Sequence, residues 1–297
     1  MQKIKLLCLL FLVTCFSAIG QKTPILLSSD QLSQKITSGN VVILHVGTKE
    51  DFEKEHIPGA LFVSPGDYTY DDEENNIVFD RPEDSVLKSY FESLGISNDT
   101  EVIVYTPVNW IPLVTRLYFT LDYLGHGDMT SILDGGLVAW KASGREVTKE
   151  VMETQKGNFE IKPNSSLLAD TKYMKSSIEN QGNTIIDCRS EAYYKAIKPT
   201  HGARLGRIPN SRSIPYTSLY AASDIGAYKF KSLKELENIF NSQDLDNKEP
   251  LVLYCHIGMQ LTVVYTAAKM LGYNNVKMYD PSFNVWGKDD SLPIEQE

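Results

Sequence analysis

The chain repeats itself, and this constrains its fold more than any other feature. A β-branched run, Val41-Val42-Ile43-Leu44, is followed by His56-Ile57-Pro58-Gly59-Ala60 and a second apolar run, Val102-Ile103-Val104-Tyr105. Next come a helical stretch from Leu113 to Leu124, then Ile132-Leu133-Asp134-Gly135-Gly136 and Trp140. The second half restates these in order: Thr184-Ile185-Ile186-Asp187, Arg207-Ile208-Pro209-Asn210, Leu251-Val252-Leu253-Tyr254, a helical stretch ending at Leu271-Gly272, Met278-Tyr279-Asp280 and Trp286. Asp134 to Trp140 and Asp280 to Trp286 are each separated by six residues. Two copies of one domain is the economical reading, and 297 residues suit two cores better than one. Continuous apolar runs read as buried parallel strands. Their alternation with amphipathic stretches such as Leu113 to Leu124 and Leu233 to Phe240 reads as βαβ units. The expected fold class is α/β, two domains over 24–145 and 167–297, each a mainly parallel sheet flanked by helices. The polar segment 146–166, with Lys149, Glu150, Glu153, Lys156, Gly157 and Pro163, is the expected linker.

The first residues read as an export signal over 1–20: Lys3 and Lys5, an apolar run from Leu6 to Phe16, then Ala18-Ile19-Gly20. Cleavage after Gly20 removes both lysines and takes the formal charge from -9 to -11. The expected location is the bacterial periplasm or the extracellular space. An alternative uses Leu12-Val13-Thr14-Cys15 as a lipobox, with Cys15 carrying lipid. No later segment reaches the ~18 uninterrupted apolar residues of a transmembrane helix. With 38 acidic against 29 basic residues there is no basic stripe, which argues against a nucleic-acid partner. Once Cys8 and Cys15 leave with the leader, Cys188 and Cys255 remain, too few for a disulfide framework. No CxxC or HExxH spacing supports a metal site.

The chemistry concentrates in Leu251-Val252-Leu253-Tyr254-Cys255-His256-Ile257-Gly258-Met259-Gln260. A buried strand delivers Cys255 at its C-terminal end, where open α/β sheets place ligands. A glycine-containing loop and a helix from Leu261 to Leu271 follow. Loop N–H groups and the positive end of that helix would face the sulfur, favouring a thiolate and an anion beside it. Taken alone, a cysteine ending an apolar strand is more often an inert small hydrophobe; the order strand, cysteine, glycine loop, helix argues for the nucleophile.

From about Leu26 to Trp286 the sequence resembles the tandem-domain rhodaneses, the thiosulfate and 3-mercaptopyruvate sulfurtransferases. The resemblance rests on His56 to Ala60 and Leu133 to Trp140 in the first half. In the second it rests on Asp187-Cys188-Arg189-Ser190, Gly202 to Pro209 and the Cys255 loop. It implies a ping-pong sulfur transfer without cofactor or metal. Cys255 would take the outer sulfur of a small anionic donor as a persulfide and pass it to cyanide or a thiol. His256, Ile257, Gly258, Met259 and Gln260 would surround the sulfur, with Arg189 and Arg207, and also Arg204, as anion contacts. It further implies an inactive first domain, since Tyr254-Cys255 aligns with Tyr105-Thr106; Trp110 would line a shared cleft or fill the core.

The chain departs from the relatives at several points. His256 and Ile257 match neither the basic residues of thiosulfate-preferring relatives nor the small ones of mercaptopyruvate-preferring ones. Tyr193 replaces a substrate-binding arginine, and Asp280-Pro281-Ser282 stands where many relatives have Asp-Gly-Ser, so that turn should differ in shape. Arg189 has a competing role in an internal salt bridge, and His256 as an exposed bystander. Cys188 would be a core filler or would resolve a Cys255 persulfide as a disulfide. A phosphatase would need an arginine six residues after the cysteine, and Leu261 is there. A non-catalytic binding or persulfide-carrier module is the remaining alternative.

Overall fold

The computed structural model describes residues 23–75, 77–180, 182–200 and 202–296. The leader expected over 1–20, with Cys8 and Cys15, lies outside them. The first half contains β1 (Leu26–Leu27), α1 (Ser29–Ser38), β2 (Val41–Val46), α2 (Lys49–Lys54), β3 (Ala60–Val63), β4 (Tyr70–Asp72) and β5 (Ile77–Asp80). It continues with α3 (Asp84–Ser93), β6 (Glu101–Tyr105), α4 (Pro112–Tyr123), β7 (Thr130–Leu133) and α5 (Gly136–Ala142). The second half contains β8 (Leu168–Ala169), α6 (Thr171–Asn180), β9 (Thr184–Asp187), α7 (Glu191–Tyr194), β10 (Arg212–Ser213), β11 (Tyr220–Ala222) and β12 (Tyr228–Phe230). After these come α8 (Leu233–Asn241), β13 (Leu251–Tyr254), α9 (Leu261–Met270), β14 (Val276–Tyr279) and α10 (Ser282–Trp286).

The two main sheets have one topology. Their orders are β1-β7-β6-β2-β3 and β10-β9-β13-β14-β8, and reversing the second puts each strand on its counterpart. Every pairing within them is parallel. The all-apolar runs become fully buried strands because helices cover both faces, as the unbroken burial of Leu251–Tyr254 shows. Two antiparallel ribbons, β4–β5 and β11–β12, stand outside these sheets.

The domains meet through α4 and α9. Both helices are apolar nearly all round and buried along almost their whole length, as helices enclosed on every side must be. Thr115 and Thr262 share a hydrogen bond of 2.8 Å across the contact, Phe119 meets Tyr265 edge to face at 4.9 Å, and Tyr265 Oη donates to Asp122. Because each helix follows the strand that ends in Thr106 or Cys255, this packing brings the two loops to one interface.

The segment expected to be a linker is pinned to the first domain. The Gly157 N–H donates to the Glu92 carbonyl, and the Lys162 and Asn164 N–H groups to those of Leu124 and Tyr123. Phe159 is wholly buried in the core. Its apolar residues Val147, Val151, Met152, Phe159 and Ile161 follow neither a helical nor a strand period, which leaves no periodicity to read.

Candidate active site

Cys255 follows β13, the central strand of the second sheet, and is completely buried. The backbone N–H groups of Leu261, Ile257 and Gln260 each favour the ionised form of its Sγ. Ser282 Oγ accepts the Cys255 N–H at 3.1 Å, donates to the Tyr279 carbonyl at 2.9 Å and stands 3.9 Å from Sγ. Ser282 is held at φ +53°, a region costly for a residue with a side chain. In the first domain the same turn carries Gly135 and Gly136 at φ +84° and +54°. Pro281, at φ -56°, stands where Gly135 is, so the two turns differ at the position proline restricts.

The electrostatics correct one expectation. Burial pushes the Cys255 thiol above its ordinary range, and the hydrogen bonds from Leu261, Ile257, Ser282 and Gln260 oppose that without reversing it. The strand–loop–helix pattern accounts for the donors but carries no information on how completely the sulfur is enclosed. Cys188 ends the neighbouring strand, its N–H donating to the Tyr254 carbonyl at 2.8 Å. It is equally buried, and burial drives its thiol well up, with the nearby Cys255 adding to the effect. Both cysteines are free thiols.

The arginines expected at the anion are engaged elsewhere. Arg189 is fully buried and grips Asp187 through Nε at 3.0 Å and Nη2 at 2.6 Å. It also donates to Thr200 Oγ1 and the Gly206 carbonyl and lies 4.0 Å over the Phe283 ring. Asp187 in turn accepts the Tyr254 hydroxyl at 2.6 Å, so this ion pair braces the strand beneath Cys255. Arg207 pairs with Glu295 and covers the Tyr194 ring at 4.5 Å. Arg204 donates to carbonyls of Trp286, Gly287, Asp289 and Leu292, fastening the C-terminal segment. The sequence identifies these arginines as cations but not the carboxylates and carbonyls that fold back on them.

The loop residues fall into two groups. His256 is buried rather than an exposed bystander: its Nδ1 meets Thr200 Oγ1 at 3.0 Å and its ring stands edge-on to Tyr193 at 4.4 Å. Met259 is buried, while Ile257 and Gln260 are partly open. Gly258 adopts φ +82°, and a Cβ there would lie 2.0 Å from Asp280 Oδ1. Among the described residues no cluster of His, Cys, Asp and Glu is arranged to hold a metal.

The matching first-domain loop begins alike, the Thr106 carbonyl accepting the Leu137 N–H as the Cys255 carbonyl accepts that of Phe283, and then differs. Asn109 donates to the Gly226 carbonyl at 2.9 Å and accepts the Tyr228 N–H at 3.1 Å, so the β11–β12 ribbon of the second domain lies over it. Trp110 is 40 % exposed and therefore not core.

Sequence reasoning missed Arg116. It is fully buried in α4 and reaches Gly258 and Asp280 of the second domain. A signal was present: it is the single charged residue between Glu101 and Asp122.

The rhodanese-like domain matches the chain twice, over residues 28–143 and 170–289. The chain is 30% identical to a putative thiosulfate sulfurtransferase of Saccharopolyspora erythraea, over 91% of this chain and 96% of that protein. It is 28% identical to the 3-mercaptopyruvate sulfurtransferase of Escherichia coli K12, over 83% and 85%. It is 29% identical to a sulfur carrier protein of Thermus thermophilus, over 91% and 96%. Among solved structures, the fold is shared with a 3-mercaptopyruvate sulfotransferase from Escherichia coli at TM-score 0.76, with 24% identity, 88% of this chain and 99% of that one covered. With both halves matched and the same strand order in each, the chain belongs to the rhodanese family, as two rhodanese-like domains in tandem.

Proposed function

We propose that the protein is a sulfurtransferase that moves sulfane sulfur from thiosulfate or 3-mercaptopyruvate to cyanide or a thiol through a persulfide on Cys255. The observation that carries this is the placement of Cys255 at the C-terminal end of the central strand, where the loop N–H groups of Ile257 and Gln260 and the first N–H of α9, that of Leu261, favour its ionised form. The Cys255 thiolate attacks the outer sulfur of thiosulfate; the donor's S–S bond breaks, and sulfite departs with the electron pair. The persulfide formed is anionic, and the loop N–H groups that face Sγ stabilise it. Cyanide then attacks the outer sulfur, thiocyanate leaves and the thiolate returns. The relatives named as thiosulfate and 3-mercaptopyruvate sulfurtransferases support both donors. Recognition of the anion falls to backbone N–H groups and the start of α9, with Arg189 and Arg207 bracing the domain.

The alternative is a persulfide carrier for a partner protein. The likeness to a sulfur carrier protein favours it. Export, with either signal cleavage after Gly20 or lipidation of Cys15, is part of the proposal and rests on Met1 to Gly20.

The deciding experiment is steady-state thiocyanate formation from cyanide with each donor, comparing the protein with Cys255→Ser. Turnover is expected and should fall by at least about a thousandfold in the variant, the scale for loss of a covalent nucleophile. If neither donor is consumed, the carrier reading replaces the enzyme.

A further inference from the structure

The first domain, which lacks a cysteine at the equivalent strand end, sends one side chain into the second. Arg116 sits in the middle of α4 and is 1 % exposed. Its Nη1 donates to the Gly258 carbonyl at 3.1 Å and to Asp280 Oδ1 at 2.8 Å. Its Nη2 donates to Asp280 Oδ2 at 2.9 Å and to the Phe79 carbonyl in β5 at 2.8 Å. One guanidinium therefore ties together α4, the β4–β5 ribbon, the loop after Cys255 and the turn after β14.

Both second-domain partners stand next to groups that touch the reacting sulfur. Gly258 lies in the loop after Cys255, between Ile257 and Gln260, whose N–H groups favour the ionised form of Sγ. The carbonyl and N–H of a trans peptide point in opposite directions. Anchoring the Gly258 carbonyl on Arg116 therefore fixes the tilt of the Gly258–Met259 peptide in the middle of that loop. Asp280 comes two residues before Ser282, whose Oγ bonds the Cys255 N–H. The same carboxylate fills the space a Cβ on Gly258 would need, so loop and turn are held against each other.

We infer that Arg116 is a positioning residue for the Cys255 loop, supplied by the inactive domain, so that the two domains form a single catalytic unit. The inference rests on the sulfurtransferase reading for its kinetic arm only. The chemistry requires arginine. Its planar fork meets both carboxylate oxygens and two carbonyls at once, a pattern an ammonium cannot reproduce.

The test is Arg116→Lys, which keeps the buried charge opposite Asp280 but gives up the fork, together with the isosteric Asp280→Asn. Two readouts are taken on folded protein showing one cooperative unfolding transition. The first is the pH dependence of iodoacetamide alkylation at Cys255, resolved from Cys188 by peptide mass spectrometry. The second is kcat and KM for thiocyanate formation. A loosened loop should move the alkylation profile to higher pH and lower kcat about a hundredfold with KM changed less than about threefold, the cost of a small misplacement of reacting groups. A folded variant with reduced thermal stability but unchanged alkylation profile and kcat would make Arg116 only a bolt between domains and overturn the inference. If the unmodified protein transfers no sulfur, the sulfurtransferase reading fails, and the alkylation profile alone decides for or against Arg116.

Discussion

Gly258 carries two constraints that a side chain would violate together. Its φ of +82° suits glycine, and the space beside it is filled by Asp280 Oδ1, 2.0 Å from where a Cβ would sit. That oxygen cannot swing aside, because the Arg116 fork holds it. Gly258→Ala should therefore cost about 2–4 kcal/mol of unfolding free energy, read from urea melts. A loss under about 0.5 kcal/mol, the range of an ordinary surface change, would mean that the loop has room the structure does not give it. Cys255 supplies a second expectation at this scale. Burial raises its pKa, so the thiolate fraction keeps growing with pH past the range where an ordinary cysteine has already ionised. Its alkylation rate should still be climbing there; a plateau below neutral pH would show that the loop donors outweigh burial. The motif singles out Cys255 because strand, cysteine, glycine and helix follow one another in the chain. It does not give the sign of the shift, because the groups that enclose the sulfur come from distant residues.

Between the two copies, β2 and β9 hold the clearest divergence. In each domain a tyrosine at the end of the central strand accepts an N–H from the isoleucine of the Ile-Pro pair: Tyr105 from Ile57 at 3.0 Å, Tyr254 from Ile208 at 3.1 Å. Its hydroxyl also reaches the neighbouring strand, sharing a hydrogen bond of 2.9 Å with His45 Nδ1 in the first domain and donating to Asp187 in the second. The domain that carries Cys255 keeps a buried ion pair there, and the first domain a buried imidazole. Burial lowers the His45 pKa to about 4. The unfolded chain, with histidine near 6.5, binds that proton first as pH falls. Stability is therefore undiminished above about pH 6.5 and is lost progressively toward pH 4, by up to about 3 kcal/mol from this group. Urea melts across that window should show the decline, and His45→Gln should flatten it; equal slopes in both proteins would remove His45 as the cause. Strands such as Leu251–Tyr254 were readable because parallel pairing buries both faces and demands unbroken apolar runs. The β4–β5 and β11–β12 ribbons were not, because segments such as Tyr70–Asp72 are short, polar and exposed, and their fixing contacts, Arg116 to Phe79 and Asn109 to Gly226 and Tyr228, come from distant residues.

At the scale of the molecule, the repeat revealed two domains but not how they face each other. Helices apolar on every side, α4 and α9, were the clue to an interface, since one sheet can cover only one side of a helix. Their contact brings Arg116 to Gly258 while leaving the protein's overall charge unbalanced. The sequence carries a formal -9. The second-domain arginines Arg189, Arg207 and Arg204 are tied to Asp187, Glu295 and backbone carbonyls. A doubly negative donor such as thiosulfate thus approaches a protein of like charge with little local positive field to draw it in. Salt shortens the reach of that repulsion, from a Debye length of about 30 Å at 0.01 M to about 8 Å at 0.15 M. The kcat/KM for thiosulfate should therefore rise about two- to threefold over that range of sodium chloride at fixed pH, and less for singly charged 3-mercaptopyruvate. A value that falls with salt would require an attractive cation at the mouth of the site. Arg189 or Arg207 would then have to leave its carboxylate when the donor binds.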